Sequence, residues 1–136
     1  MTETPKHSHR QRLVIGISGA SGAWIGIRLL EACRALDVET HLVISKAGEI
    51  TIAQETSYSV SDVKALASQA HKSVDIGAAI ASGSFPTMGM IVAPCSIRSM
   101  SEIATGVTSS LLTRAADVTL KERRKLILAV RETPFH

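Results

Sequence analysis

The run Leu13-Val-Ile-Gly-Ile17 passes directly into the glycine-rich segment Gly16-Ile-Ser18-Gly19-Ala20-Ser21-Gly22-Ala23. Beyond it, Ile25, Leu29, Cys33 and Leu36 recur at helical spacing. A short continuous apolar run is what a strand needs when both faces of a parallel sheet are covered. Joined by a tight glycine turn to an amphipathic helix, it commits the chain to a strand–turn–helix unit, and so to an α/β fold. In such a sheet ligands gather at the carboxyl ends of the strands, so each strand end is read for chemistry.

The remaining pattern repeats the unit. Helices are expected over 23–36, 46–55 and 59–68, with a strand over 38–44. The stretch 69–87 holds Gly77, Gly83 and Pro86, and reads as loop with one weak strand near 76–80. A buried strand is expected over 88–93, ended by Pro94, followed by helices over 97–105 and 108–121. Thr108 or Ser109 would cap the second of these, and 125–130 forms the last strand. Strands alternating with helices predict one doubly wound parallel domain over 12–136, preceded by a flexible basic tail over 1–11.

At the first turn, glycines allow close backbone approach, and a helix start offers N–H groups to a phosphate. Ser18 and Ser21 add hydroxyls. The spacing is GxxGxxG without a following GK[ST], so neither the dinucleotide nor the P-loop fingerprint is met. The second strand ends in Ser45-Lys46, where a dinucleotide enzyme would place an acid on the ribose hydroxyls. Ser45 either donates to a mononucleotide phosphate or caps the next helix. Pro94-Cys95-Ser96-Ile97-Arg98-Ser99 offers hydroxyls at another helix start, which an ordinary N-cap also explains. Arg114, Asp117 and Lys121 share one helix face, where an Asp117–Lys121 pair would stabilise an isolated helix by only a few tenths of a kcal/mol. The final strand delivers Arg131-Glu132 to the ligand edge.

Composition narrows the classes. Net charge is +3, yet 114–131 holds six basic residues against Asp117 and Glu122, a patch suited to anions. Aromatic residues make up 3%, too few for a base-stacking surface, so no nucleic-acid partner is expected. Cys33 and Cys95 belong to no metal-spaced cluster, and Cys95 reads as a buried thiol with no histidine nearby in sequence to activate it. No apolar run reaches the roughly 20 residues of a membrane span, and no signal-peptide pattern opens the chain, so a cytoplasmic protein is expected.

Taken together, the glycine turn, Glu39-Thr-His-Leu-Val-Ile-Ser-Lys46, Ala81-Ser-Gly-Ser84, Pro94-Cys-Ser96, Arg114-Ala-Ala-Asp-Val-Thr-Leu-Lys-Glu-Arg-Arg124 and Val130-Arg-Glu-Thr-Pro134 resemble the UbiX-type flavin prenyltransferase family. The resemblance implies a flavodoxin-like fold that binds FMN and assembles into a large homo-oligomer. It implies transfer, without a metal, of a dimethylallyl group from dimethylallyl monophosphate to N5 and C6 of reduced FMN. The prenylated FMN would then serve a UbiD-type decarboxylase. Carried over residue by residue, Gly19, Ala20, Ser21, Ser45, Ser96, Ile97, Arg98, Ser99 and Arg131 would contact FMN. Arg114 and Lys121 would hold the prenyl phosphate, with Lys121 also catalytic. Glu132 would assist the leaving phosphate, and Ser21 with Glu55 would handle protons near N5.

Two rivals share the fold. Flavin-dependent cysteine decarboxylases carry a PASANT-like segment where this chain has Pro-Cys-Ser-Ile-Arg-Ser, and a second motif absent here. A non-catalytic FMN-binding fragment is the other. Family members continue into a helix and strand bearing a Tyr and a basic residue at the prenyl-phosphate site. Against that pattern this sequence reads as incomplete at its C-terminus, since it runs six residues past Val130. The chain alone is therefore expected either to be only marginally stable or to bury the exposed face of the last strand against neighbouring subunits, and to turn over slowly.

Overall fold

The computed structural model describes residues 10–132. Its elements run β1 (Arg12–Ile17), α1 (Ala23–Ala35), β2 (Glu39–Ile44), α2 (Lys46–Glu55), α3 (Val60–Leu66), β3 (Gln69–His71), a 3-10 turn (Ala79–Ala81), β4 (Gly89–Cys95), α4 (Ile97–Thr105), α5 (Leu111–Lys121) and β5 (Lys125–Val130). All strand pairings are parallel, in the order β3-β2-β1-β4-β5. The expected doubly wound flavodoxin-like sheet is present.

Two-residue periodicity divides the core. Leu13, Ile15 and Ile17 of β1, with Leu42 and Ile44 of β2, face Ile27, Leu30, Ile52 and Val63 of α1, α2 and α3. Val14, Val43, Met90 and Val92 point the other way, onto Leu111, Leu112, Ala115 and Ala116 of α5. The central strand is thus covered on both sides, as its unbroken apolar run requires. Sheet order places the carboxyl ends of β1, β2, β4 and β5 along one edge.

Three sequence expectations are corrected. The strand in 69–87 is β3 at Gln69–His71, and 79–81 is a 3-10 turn. β4 continues through Pro94 to Cys95, with a cis Ala93–Pro94 bond, where the β4–β5 register is irregular between Val92 and Cys95. Proline is tolerated there because an irregular ladder needs no N–H from it. Ser110, not Thr108 or Ser109, caps α5, its hydroxyl accepting from Thr113 N–H at 3.4 Å. Of the expected tail, residues 1–9 lie outside the described residues. Arg10 reaches Asp37 at 3.5 Å, and Gln11 C=O accepts from Glu39 N–H at 2.9 Å, so these two belong to the domain.

Candidate functional site

The strand-end edge carries a cavity of about 540 Å³. Three serine-capped helix starts, those of α2, α4 and α5, open onto it. At α2, Ser45 Oγ accepts from Gly48 N–H at 3.0 Å. At α4, Ser96 Oγ accepts from Ser99 N–H at 3.1 Å and also meets Ser99 Oγ at 3.1 Å. Gly19, Ser45, Ser96, Arg98 and Ser99, all expected at the cofactor, line this cavity together. Ile97 is exposed and Ala20 fully buried, and neither lines it.

The first turn differs from its expected role. Gly22 adopts φ 101°, the left-handed conformation glycine favours, and caps α1. The N–H groups of Gly22 and Ala23 do not face an empty cradle. Both donate to Glu55 Oε1, at 3.0 and 3.2 Å. A carboxylate is the charge a helix start favours, so Glu55 from the end of α2 takes the place expected for a phosphate. Gly19 fits its turn closely against α2, since an added Cβ would lie 2.4 Å from Ala47 Cβ. Ser18 is also corrected. Its hydroxyl is buried, donates to Pro94 C=O at 3.1 Å and accepts from Ser96 N–H at 2.8 Å, joining the ends of β1 and β4.

A second group of expected residues gathers around the start of α1. Ser21 N–H donates to Glu132 C=O at 2.9 Å, and Arg131 N–H to Cys95 C=O at 2.9 Å. The Arg131 guanidinium lies over Gly22, where an added Cβ would come within 3.2 Å of Nη1. Ser21, Glu55, Arg131 and Glu132 are thereby brought to one place from three distant segments. Glu55 also lines a second cavity of about 510 Å³ with Trp24, Arg28, Glu31 and Tyr58.

On α5, Lys121 Nζ pairs with Asp117 Oδ2 at 3.0 Å and its side chain is 73% exposed. Arg114 Nε is buried with no hydrogen-bond partner among the described residues. Neither side chain lines either cavity. Cys95 is fully buried, and that burial pushes its thiol up to about 11, leaving no thiolate for nucleophilic work at neutral pH. Among the described residues no group of three His, Cys, Asp or Glu side chains is placed to hold a metal ion.

Sequence reasoning missed Lys46, Ser73, Val74, Ile76, Ser110, Leu112 and Thr113 on the larger cavity. A faint signal existed in Val74 and Ile76, two aliphatic residues in a polar loop. Both are more than half exposed, and they give the cavity an apolar wall.

The flavoprotein family model, described as "Flavoprotein", matches residues 1–135. The flavin prenyltransferase UbiX of Thauera aromatica is 58% identical over 125 residues, covering 92% of this chain and 64% of the relative. This chain therefore spans less than two thirds of that relative's length. A crystal structure of AnUbiX (PadA1) with FMN and dimethylallyl pyrophosphate superposes with TM-score 0.90 at 50% identity, covering 94% of this chain and 68% of that one. A dodecameric FMN-dependent UbiX-like decarboxylase from Escherichia coli O157:H7 gives TM-score 0.89 at 50% identity, over 93% and 69% of the two chains. No described helix is long and apolar enough to cross a membrane.

Proposed function

The chain belongs to the flavoprotein family, and from that premise we propose that it binds FMN in the larger cavity and serves flavin prenylation. The observation that carries the reading is the convergence of three serine-capped helix starts, α2, α4 and α5, on one cavity with an apolar wall. Free N–H groups and hydroxyls at helix starts suit a phosphate and ribityl chain. Val74, Ile76 and Leu112 suit a flat ring, and the volume lies within the roughly 300–1,000 Å³ usual for ligand pockets. Gly19, Ser45, Ser96, Arg98 and Ser99 would hold the flavin within the cavity. Ser21, Ile97 and Arg131 would reach it from the rim, whereas Ala20, fully buried, would back the turn without touching it.

When bound and reduced, the flavin supplies the N5 and C6 positions that receive the dimethylallyl group. The chain's own residues do the rest. Arg114 and Lys121 would hold the prenyl phosphate and stabilise the negative charge that grows as it leaves. The unpartnered Arg114 Nε favours this, because a buried N–H without an acceptor is costly and an anion would satisfy it. Glu132 would supply a proton to the departing phosphate. Ser21 and Glu55, both at the start of α1, would handle protons near N5. The donor would be dimethylallyl monophosphate, the recipient of the product a UbiD-type decarboxylase, and the assembly a large homo-oligomer.

The test is a flavin titration followed by product analysis with reduced FMN and dimethylallyl monophosphate. FMN should bind in preference to NAD, and Lys121→Ala should lower prenyl transfer at least tenfold. Its cost in stability should stay under about 1 kcal/mol, because the side chain is largely exposed. Absence of flavin binding would sink the reading. Binding without product in the unaltered chain leaves the FMN-binding fragment, and decarboxylation of a cysteinyl substrate would move the chain to the cysteine-decarboxylase group.

A further inference from the structure

The inner face of the sheet buries a polar chain that the proposed chemistry does not use. His41 Nδ1 meets His71 Nε2 at 3.0 Å, and His41 Nε2 meets Glu39 Oε2 at 2.6 Å. Arg12 Nε donates to the same Glu39 oxygen at 3.2 Å. The imidazoles stack with centroids 5.3 Å apart, and Phe85 closes edge-on over His41 at 5.1 Å. Arg12 in turn lies 4.4 Å from the Phe85 ring centroid. Both histidines are more than nine-tenths buried. With Glu39 accepting from His41 Nε2, the bond between the rings needs one N–H and one bare nitrogen. Either histidine can supply the proton, but a doubly protonated pair sets N–H against N–H.

The pair sits at the end of β3 that leads into the cavity wall. β3 is an edge strand of three residues. Its leading end is tied by reciprocal bonds, Thr40 N–H to Ser68 Oγ and Ser68 N–H to Thr40 Oγ1, each at 2.9 Å and independent of pH near neutrality. Its trailing end is His71. Beyond Lys72 come Ser73, whose C=O accepts from Leu111 N–H at 2.9 Å, and then Val74 and Ile76, the apolar wall of the larger cavity.

We propose that the His41–His71 bond is a positioning device for the flavin cavity: it clamps the trailing end of β3 to β2, and so holds the wall at 73–76 in place, only while the pair carries at most one extra proton. The part concerning flavin rests on the function proposed above. The charged and titratable groups facing the pair are Glu39 on β2, Arg12 on β1 and Asp75 beyond β3. Burial, then the charge of His41, holds His71 below its ordinary 6.5, with Asp75 opposing. A histidine lowered on folding contributes stability that is complete above the unfolded value and lost as pH falls through the folded one. Loosening therefore belongs below pH 6.5. The hydrogen bond from His41 lowers Glu39 below 4.5, so Glu39 stays ionised at both pH 7.5 and pH 5.5.

The experiment measures FMN affinity at those two pH values in the unaltered chain and in His71→Gln, whose amide donates from the same position but takes no proton. The unaltered chain should weaken at least fivefold more than His71→Gln on acidification. Ionisation of the FMN phosphate, near pH 6, affects both alike and cancels. Equal weakening in the two chains overturns the proposal. Hydrogen exchange on the unaltered chain gives a second reading that does not depend on the variant folding. After correction for intrinsic rates, amides of 70–76 should lose at least tenfold protection at pH 5.5 relative to β1. Unchanged protection there overturns the clamp. Failure to bind FMN at pH 7.5 would reject the flavin reading, and exchange alone would then decide the clamp.

Discussion

Ser18 shows how a residue in a ligand-type motif acts on a site without touching the ligand. Its hydroxyl satisfies the buried Ser96 N–H and reaches the Pro94 carbonyl, so the ends of β1 and β4 are locked at the point where α4 begins. Ser18→Ala leaves that N–H with no acceptor inside the protein, a loss of about 1–3 kcal/mol. In urea denaturation the midpoint should fall while the slope is unchanged, since the exposed surface of the unfolded chain is the same. An unaltered midpoint would mean that another acceptor replaces the hydroxyl. Glu55 teaches the converse. It lies more than thirty residues from the turn it serves, yet its carboxylate fills the helix start that the glycine spacing alone would assign to a phosphate.

At the level of elements, the strongly patterned segments were legible. β1, α1, β2, α2, α4 and β5 fall within a residue or two of their sequence-based limits; the strands have clear apolar runs, whereas α2, which buries only Gly48, Thr51 and Ile52, is bounded at its start by the Ser45 cap. β3 was not legible. Gln69-Ala70-His71 has no apolar run, and only His71 is buried, so its pairing with β2 is a tertiary effect. The start of α5 was ambiguous for another reason. Thr108, Ser109 and Ser110 are all able caps, and the choice falls to the burial of Leu111 and Leu112 immediately beyond. Ser110→Ala should therefore cost about 1 kcal/mol, as for other lost N-caps, whereas Thr108→Ala should be nearly neutral. Thermal denaturation of the two variants checks this, and equal effects would refute the assignment of the cap. The larger cavity was half legible. Ser45 and Ser96 stand at strand ends, where topology directs attention, but the wall at 73–76 arrives from a loop whose path no local pattern encodes.

Across the whole molecule, the described residues leave apolar surface on the β5 side. Leu120 of α5 and Ile127 of β5 are each 49% exposed, while Leu126 and Leu128 pack inward. A parallel sheet edge carrying such residues favours association. The chain should sediment as an oligomer at micromolar concentration, and Ile127→Lys should shift it toward smaller species without loss of secondary structure. A monomer at all concentrations would contradict this. The sheet order has one further consequence, for synthesis on the ribosome. β1 lies between β2 and β4, with Leu13 paired to both Thr40 and Gly89. Its second neighbour is encoded about fifty residues after its first. At roughly 5–20 residues per second, a nascent chain spends about 3–10 s with one flank of its central strand unpaired. During that interval the open flank of β1 is the surface a chaperone would have to shield.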